Sequence, residues 1–397
     1  MSELQITEID TAVAANPWKP WLFVRVETDE GIVGYGEGTG GSPEDLVAMV
    51  DMMKDSIIGT SPFDTERLFA PIFPAGSGAA PHHARQTTVL SAIDIALWDI
   101  KAKYFDVPIY QLLGGRLHEG NLRSYANGWY TGVYEDDVRE PELFADAARD
   151  VVDRGYDALK FDPFSNHWKR MDRSEFNRSI ACVEAVRDEV GPDVDLLIEG
   201  HKRFSVPMAI EVARELAQYQ PAWFEEPTPQ DVNALKKVAD GSPVPIATGE
   251  SMVTHHAFPD LLHETKVGIN QADVVHTGGI TELKKVAAMS NAEHVEMAPH
   301  MASGWITLAA SMQVDVTIPN FMIQENFIEF AFPDWADEIV TEPIEVDDGD
   351  LVVPDRPGHG VELEWDVIRD EYSYFDHKED VNTIDLYEFK WEERNLQ

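Results

Sequence analysis

Three apolar runs in this chain end abruptly in a carboxylate: Asp195-Leu-Leu-Ile-Glu-Gly-His201, Ala222-Trp-Phe-Glu-Glu-Pro227 and Pro245-Ile-Ala-Thr-Gly-Glu250. Glu199 and Glu225 are 26 positions apart, and Glu225 and Glu250 are 25. That interval fits one strand, one covering helix and two loops, the repeating unit of a parallel α/β barrel. Three such units in succession place three carboxylates on one rim, at the C-terminal ends of adjacent strands. Acids so close repel one another, and they stay ionised together only around a cation. Ligation by oxygen alone suits a hard divalent ion, so the spacing points to Mg²⁺. Three solvated strand-end acids are the plainer alternative, but nothing would then make them recur at one interval.

Other titratable residues fall at matching places. Lys160 and Asp162 close Asp157-Ala-Leu-Lys-Phe-Asp162, and His201 lies two positions beyond Glu199, so alternation turns it to the same side. Asp273 falls in the expected sixth strand Ile269–Val275, His300 ends Val295–His300, and Glu325 ends Phe321–Glu325. Neighbouring strand ends would let Asp273 hold the tautomer of the His300 imidazole and raise its basicity. With a first strand at Leu122–Ala126 and helical periodicity between the strands, residues 121–328 read as a TIM-like (β/α)7β barrel. Residues 1–120 read as a smaller α+β unit. Strands at Leu4–Ala14, Trp21–Glu27 and Ile32–Glu37 precede a helix that opens at Ser42-Pro-Glu-Asp. A second helix, Thr87–Tyr104, carries Leu90, Ile93, Leu97 and Ile100 on one face. Residues 329–397 turn to prolines, acids and short extended runs, with 378–397 as an extension that carries no mechanistic signal.

Glu-Gly-His, Phe-Glu-Glu-Pro and Ala-Thr-Gly-Glu-Ser resemble the metal-binding strand ends of the enolase superfamily, in its mandelate racemase and muconate lactonizing enzyme family. Ser91–Asp99 followed by Pro108–Gly115 resembles the last helix of that family's N-terminal capping domain. Asp355-Arg-Pro-Gly-His-Gly-Val361 resembles the C-terminal segment that completes the cap. The resemblance implies a homo-oligomeric, Mg²⁺-dependent enzyme that removes the proton α to a substrate carboxylate and holds the enediolate on the metal. It implies Glu199, Glu225 and Glu250 as ligands, Asp273 and His300 as an Asp–His dyad, and a protonated Glu325 hydrogen-bonded to the substrate carboxylate. It also implies that the stiff loop Asn16-Pro-Trp-Lys-Pro-Trp21 is a lid whose Trp21 meets substrate. His82, His83 and Arg85, in the Gly/Ala/Pro-rich stretch 72–85, and Asp162 are further candidate substrate contacts.

The chain departs from the racemase pattern at its second strand. Family members often carry Lys-x-Lys there, the second lysine being a base; here the run is Lys160-Phe161-Asp162. Lys160 is then expected to neutralise the substrate carboxylate, with pairing to nearby acids as the plainer reading. Relatives with a histidine at the His201 position are mainly acid-sugar dehydratases. In that reading His300 takes the α-proton and His201 protonates the departing β-hydroxyl, converting an aldonate such as gluconate, galactonate or xylonate to its 2-keto-3-deoxy acid. The alternatives are a racemase or epimerase on the same scaffold, a lactone-forming cycloisomerase, and a non-catalytic sugar-acid-binding protein.

Bulk composition narrows the classes further. The 397 residues are 44% hydrophobic, enough for a barrel and a second core, and no apolar run reaches the length of a membrane span. The single cysteine, Cys182, suits a reducing cytoplasm. With 72 acids against 31 bases the net charge is −41, spread along the chain, which argues against nucleic acid as a partner. Such self-repulsion reads as adaptation to a salt-rich interior. The melting temperature should therefore rise from low salt to about 1 M KCl, where the screening length shrinks to about 3 Å. A flat or falling melting curve across that series would overturn the reading.

Overall fold

The computed structural model describes residues 4–69, 84–130, 139–164, 168–378 and 381. Strands β1 (Ile6–Ala14), β2 (Trp21–Thr28) and β3 (Val33–Gly38) form an antiparallel meander. Helices α1 (Pro43–Ile57), α2 (Thr65–Phe69) and α3 (Ala84–Tyr104) follow. The expected apolar stripe of α3 is buried, as Leu90, Ile93, Leu97 and Ile100 are at most 1% exposed. Gly34 and Gly36 let this helix lie directly on β3, since a Cβ at Gly36 would fall 1.7 Å from the Ala92 carbonyl oxygen. Two aspartates of α3 anchor it elsewhere. Asp94 accepts hydrogen bonds from the Thr281 amide and hydroxyl at 3.0 and 2.6 Å, on a barrel helix. Asp99 accepts from the Tyr35 and His359 amides. Neither contact involves the rim where the carboxylates gather.

Eight parallel strands make the barrel: β4 (Ser124–Ala126), β5 (Ala158–Phe161), β6 (Asp195–Glu199), β7 (Trp223–Glu225), β8 (Ile246–Thr248), β9 (Ile269–Asn270), β10 (Glu296–Met297) and β11 (Gln324–Asn326). Their hydrogen-bonded order runs β10-β9-β8-β7-β6-β5-β4-β11, and a parallel bridge from Met297 to Phe321 closes the ring. The sixth strand is shorter than its apolar run suggested. It stops at Asn270, and Asp273 instead caps a short helix, Val274–Thr277, accepting from the Val275 amide at 2.7 Å.

The C-terminal segment returns over both units. Leu351 bridges Leu122 ahead of β4, Gly358 bridges Pro108, and Ser373 bridges Ala14 at the end of β1. A second link runs from the cap to the barrel. Glu37, fully buried at the end of β3, accepts hydrogen bonds from the Gly304 and Thr307 amides, the latter at 2.9 Å, at the start of helix Trp305–Asp315. Burial pushes this carboxyl up to about 7 even against those two donors. Among the described residues no helix is long and apolar enough to cross a membrane.

Candidate active site

Side-chain alternation builds this site from below. Tyr125, Ala158, Leu197, Trp223, Ala247, Ile269, Ala298 and Ile323 pack together inside the barrel, one from the line of each strand. Large and small residues interleave, so the tube is filled rather than open. One alternation step toward the C-terminal end, the same inward direction is taken by Asn127, Lys160, Glu199, Glu225, Gln271, His300 and Glu325. The chemistry therefore stands on an apolar floor. Strand β8 breaks the step, because Gly249 follows Ala247 and the acid comes one residue later. Gly249 has φ 127°, and a Cβ there would lie 2.6 Å from the Asn270 side-chain oxygen, so only glycine lets the chain turn Glu250 inward.

Glu199, Glu225 and Glu250 offer oxygens that lie within 4.8 Å of one another. Trp223 of the floor donates its indole N–H to Glu225 Oε2 at 2.9 Å, which fixes that carboxylate while its Oε1 faces the cluster. Burial and the adjacent Glu199 push Glu225 up to about 8, with Lys160 pulling the other way. Glu250 is held well below the usual carboxylate range despite burial, because Lys202 Nζ lies 2.6 Å from its Oε1. An all-oxygen trio of three acids that share the two lysines Lys160 and Lys202 fits a hard divalent cation. Glu226 points away; its Oε1 accepts from Thr248, Gly249 and Gln230, so it braces the next strand end.

Lys160 is buried among acids. Its Nζ lies 2.5 Å from Glu225, 2.7 Å from Glu325 and 3.5 Å from Glu199. Burial lowers its affinity for a proton, but Glu225 and Glu325 outweigh that and raise it well above the ordinary lysine value. Glu325 was expected to donate a hydrogen bond as a protonated acid. Here it accepts from three donors: Lys160, Asn127 Nδ2 at 2.6 Å and the Met301 amide at 2.7 Å.

Two histidines flank the cluster, each backed by an aspartate. His300 Nδ1 is 2.6 Å from Asp273 Oδ2, and its Nε2 faces Glu250 and Glu325 at 3.8 and 4.0 Å. Burial draws its pKa down, but Glu250, Glu325 and Asp273 together push it up to about 9. A cation on Glu250 would cancel the largest of those raising charges and bring the imidazole back toward a neutral base. On the other side His201 Nδ1 lies 2.6 Å from Asp162 Oδ2. His201 and Lys202 both adopt left-handed backbone, with φ 45° and 58°, which turns the chain sharply just past Glu199.

Several candidate contacts stand elsewhere. Trp21 is 1% exposed and packs its ring against Phe332 and Trp335 at 5.2 and 5.7 Å, a core residue of β2 rather than part of a lid. Arg85 is exposed and pairs with Asp45 of α1 at 2.9 Å. His82 and His83 lie outside the described residues. Asp162, expected to touch substrate, has His201 and Arg203 as partners. From the 16–21 loop it is Lys19 that reaches the mouth, its Nζ 3.2 Å from the Ala302 carbonyl. Burial lowers the Lys19 pKa although Asp273 and Glu250 oppose it. His276 Nε2 stands 3.9 Å from Asp273 Oδ2, the same oxygen that faces His300, and burial draws its pKa down to about 4. Its position three residues after Asp273, one helical turn on, was the available signal. Lys19 had a signal too, as the one cation in a stiff loop already expected at the mouth.

Two family descriptions match the chain: "Mandelate racemase / muconate lactonizing enzyme, N-terminal domain" over residues 3–114, and "Enolase C-terminal domain-like" over residues 143–367. A D-gluconate dehydratase of Thermoproteus tenax is 36% identical over 345 residues, which is 86% of this chain and 67% of that protein. A D-xylonate dehydratase of Haloferax volcanii is 31% identical over 375 residues, 92% of this chain and 88% of the relative. The crystal structure of a mandelate racemase/muconate lactonizing enzyme from Sulfitobacter superposes with a TM-score of 0.85 at 30% identity, covering 94% of this chain and 96% of that one.

Proposed function

We propose that this chain, which belongs to the mandelate racemase and muconate lactonizing enzyme family of the enolase superfamily, is a Mg²⁺-dependent sugar-acid dehydratase acting on an aldonate. The observation that carries the reading is the pair of aspartate-backed histidines at the carboxylate trio, His300 Nε2 3.8 Å from Glu250 and the His201 amide 2.6 Å from Glu199, with Asp162 where a second basic lysine would stand. The named relatives, dehydratases of gluconate and xylonate, support the same chemistry. They differ in substrate chain length, so the number of carbons is left to experiment.

His300 takes the proton from C2 of the substrate on Nε2, while Asp273 keeps Nδ1–H in place and stabilises the imidazolium that forms. The electron pair released from C2–H is accommodated in the carboxylate group, beside the positive charge of Lys160. Glu199, Glu225 and Glu250 would hold a Mg²⁺, whose chemistry when bound is to supply positive charge against that carboxylate. The pair then forms C2=C3 as the C3–O bond breaks. The oxygen leaves with its electrons, receives a proton from His201 Nε2 and departs as water. The enol that remains takes a proton at C3, gives up the proton on its C2 oxygen, and becomes the 2-keto-3-deoxy acid.

A stereochemically complete panel of aldonates and aldarates, assayed for 2-keto acids, tests this directly. Formation of a 2-keto-3-deoxy acid from at least one member is expected. Interconversion of C2 epimers with no keto acid would establish the epimerase instead. The metal assignment has its own test: Glu225→Gln should lower Mg²⁺ affinity by at least about tenfold in calorimetry while the barrel keeps its fold. Undiminished affinity in that variant would remove Glu225 from the ligand set.

A further inference from the structure

Asp162 does more than face one histidine. Among the contacts of its two oxygens, Arg203 Nη1 donates to Oδ1 at 2.8 Å, the Phe164 amide donates to Oδ1 at 2.8 Å, Arg203 Nη2 donates to Oδ2, and His201 Nδ1 lies 2.6 Å from Oδ2. This is a fork-on-carboxylate pairing, which fixes both the distance and the plane of the acid. Both partners are shielded: Asp162 is 5% exposed, and the Arg203 side chain is 13% exposed. Burial alone would raise the Asp162 pKa, but Arg203 and His201 keep it far below the usual carboxylate range. The turn that carries Arg203 is itself tied down. The Arg203 amide donates to the Gly200 carbonyl at 3.2 Å, and its carbonyl accepts from the Lys169 amide at 2.8 Å.

The guanidinium, the carboxylate and the imidazole therefore form one chain of contacts running across the ends of two strands. Arg203 Nη2 also lies 3.4 Å from His201 Nδ1, so the ring cannot swing its Nδ1 away from Asp162 toward the arginine without a like-charge clash once protonated. With Nδ1 committed to Asp162, Nε2 is the nitrogen on the far edge of the ring.

We propose that Arg203 is a positioning residue for the elimination step, acting through Asp162 to keep Nδ1–H of His201 on that carboxylate, so that in the protonated ring Nε2–H is the donor presented to the departing hydroxyl. This rests on the dehydratase reading. It assigns no contact between Arg203 and substrate. The plainer alternative is that the Arg203–Asp162 pair only pins the 200–203 turn to β5, and that alternative predicts a loss shared by every step.

The experiment measures two reactions of the Mg²⁺-loaded enzyme on a sugar acid that the wild type dehydrates: formation of the 2-keto acid, and exchange of the C2 proton with D₂O. Arg203→Lys keeps the charge but loses the fork. It should lower kcat for dehydration by at least about tenfold with little change in KM, while C2 exchange stays within about threefold and Mg²⁺ affinity is unchanged. Asp162→Asn, nearly the same shape, should produce the same split, and it carries the test if the arginine variant does not fold. Imidazole ¹⁵N spectra of histidine-labelled protein should show His201 losing its single Nδ1–H tautomer in both variants. Equal loss of exchange and dehydration, or dehydration unchanged in both, would overturn the proposal. A wild type that forms no keto acid from any sugar acid would defeat the dehydratase reading instead. The ¹⁵N spectra would still decide whether Arg203 sets the His201 tautomer.

Discussion

His300→Asn should abolish exchange of the C2 proton with D₂O and lower dehydration by about 10³, within the range that a positioned general base contributes. Asparagine can still accept or donate a hydrogen bond near Asp273, so the 2.6 Å contact that orders this strand end has a substitute, but no group then takes the proton. His201→Asn should fail differently. If that residue only protonates the leaving group, dehydration is lost while C2 exchange persists, because the base and its aspartate are untouched. Equal loss of exchange in the two variants would merge or reverse the roles.

Lys160→Ala should lower kcat by about 10² or more, since it withdraws a charge facing the developing negative charge in a site shielded from water. The structure adds a second effect. Lys160 lies within 3.5 Å of Glu199, Glu225 and Glu325, so its removal leaves three buried acids without their shared cation. Stripping one partner from a buried ion pair typically costs about 3–5 kcal/mol. The metal-free variant should therefore melt well below the metal-free wild type, and added Mg²⁺ should recover part of the difference through Glu199 and Glu225. A variant that keeps its activity would show that Lys160 is not the charge partner proposed, and a wild type that epimerises an aldonate at C2 without forming keto acid would show that Lys160 is itself a second base.

The equal spacing of the three acids and the two-residue alternation past Glu199 were readable because both follow from strand geometry, which is local and periodic. The barrel strands and the buried face of α3 were legible for the same reason. What failed was what depends on contacts between distant segments. Asp162 and Arg203 are 41 positions apart, and nothing in either local run announces the fork that joins them. Trp21 was misassigned because a tryptophan beside two prolines suggests an exposed, stiff loop. Its alternation with Phe23 on one face of β2 was the better guide, and both rings are buried. Asp273 was put inside a strand because Val274 and Val275 continue the apolar run. The chain instead spends those valines on a helical turn, and the aspartate caps it. Arg85 carried no periodic signal, and its partner Asp45 lies across a helix contact that no local pattern encodes.

Glu37 bears on how such proteins can be recombined. Its carboxylate leaves the cap sheet and ends on the Gly304 and Thr307 amides, only a few residues past His300. A cap grafted from a relative onto this barrel would bring new residues over the mouth, yet without an acid at this place it would leave two buried backbone donors without their acceptor. The graft would then disturb the footing of His300, the proposed base, while appearing to change only which substrate is admitted. Chimeras in this scaffold should be cut so that Glu37 and the 300–307 turn travel together, because they are inherited as one part even though 267 residues separate them in the chain.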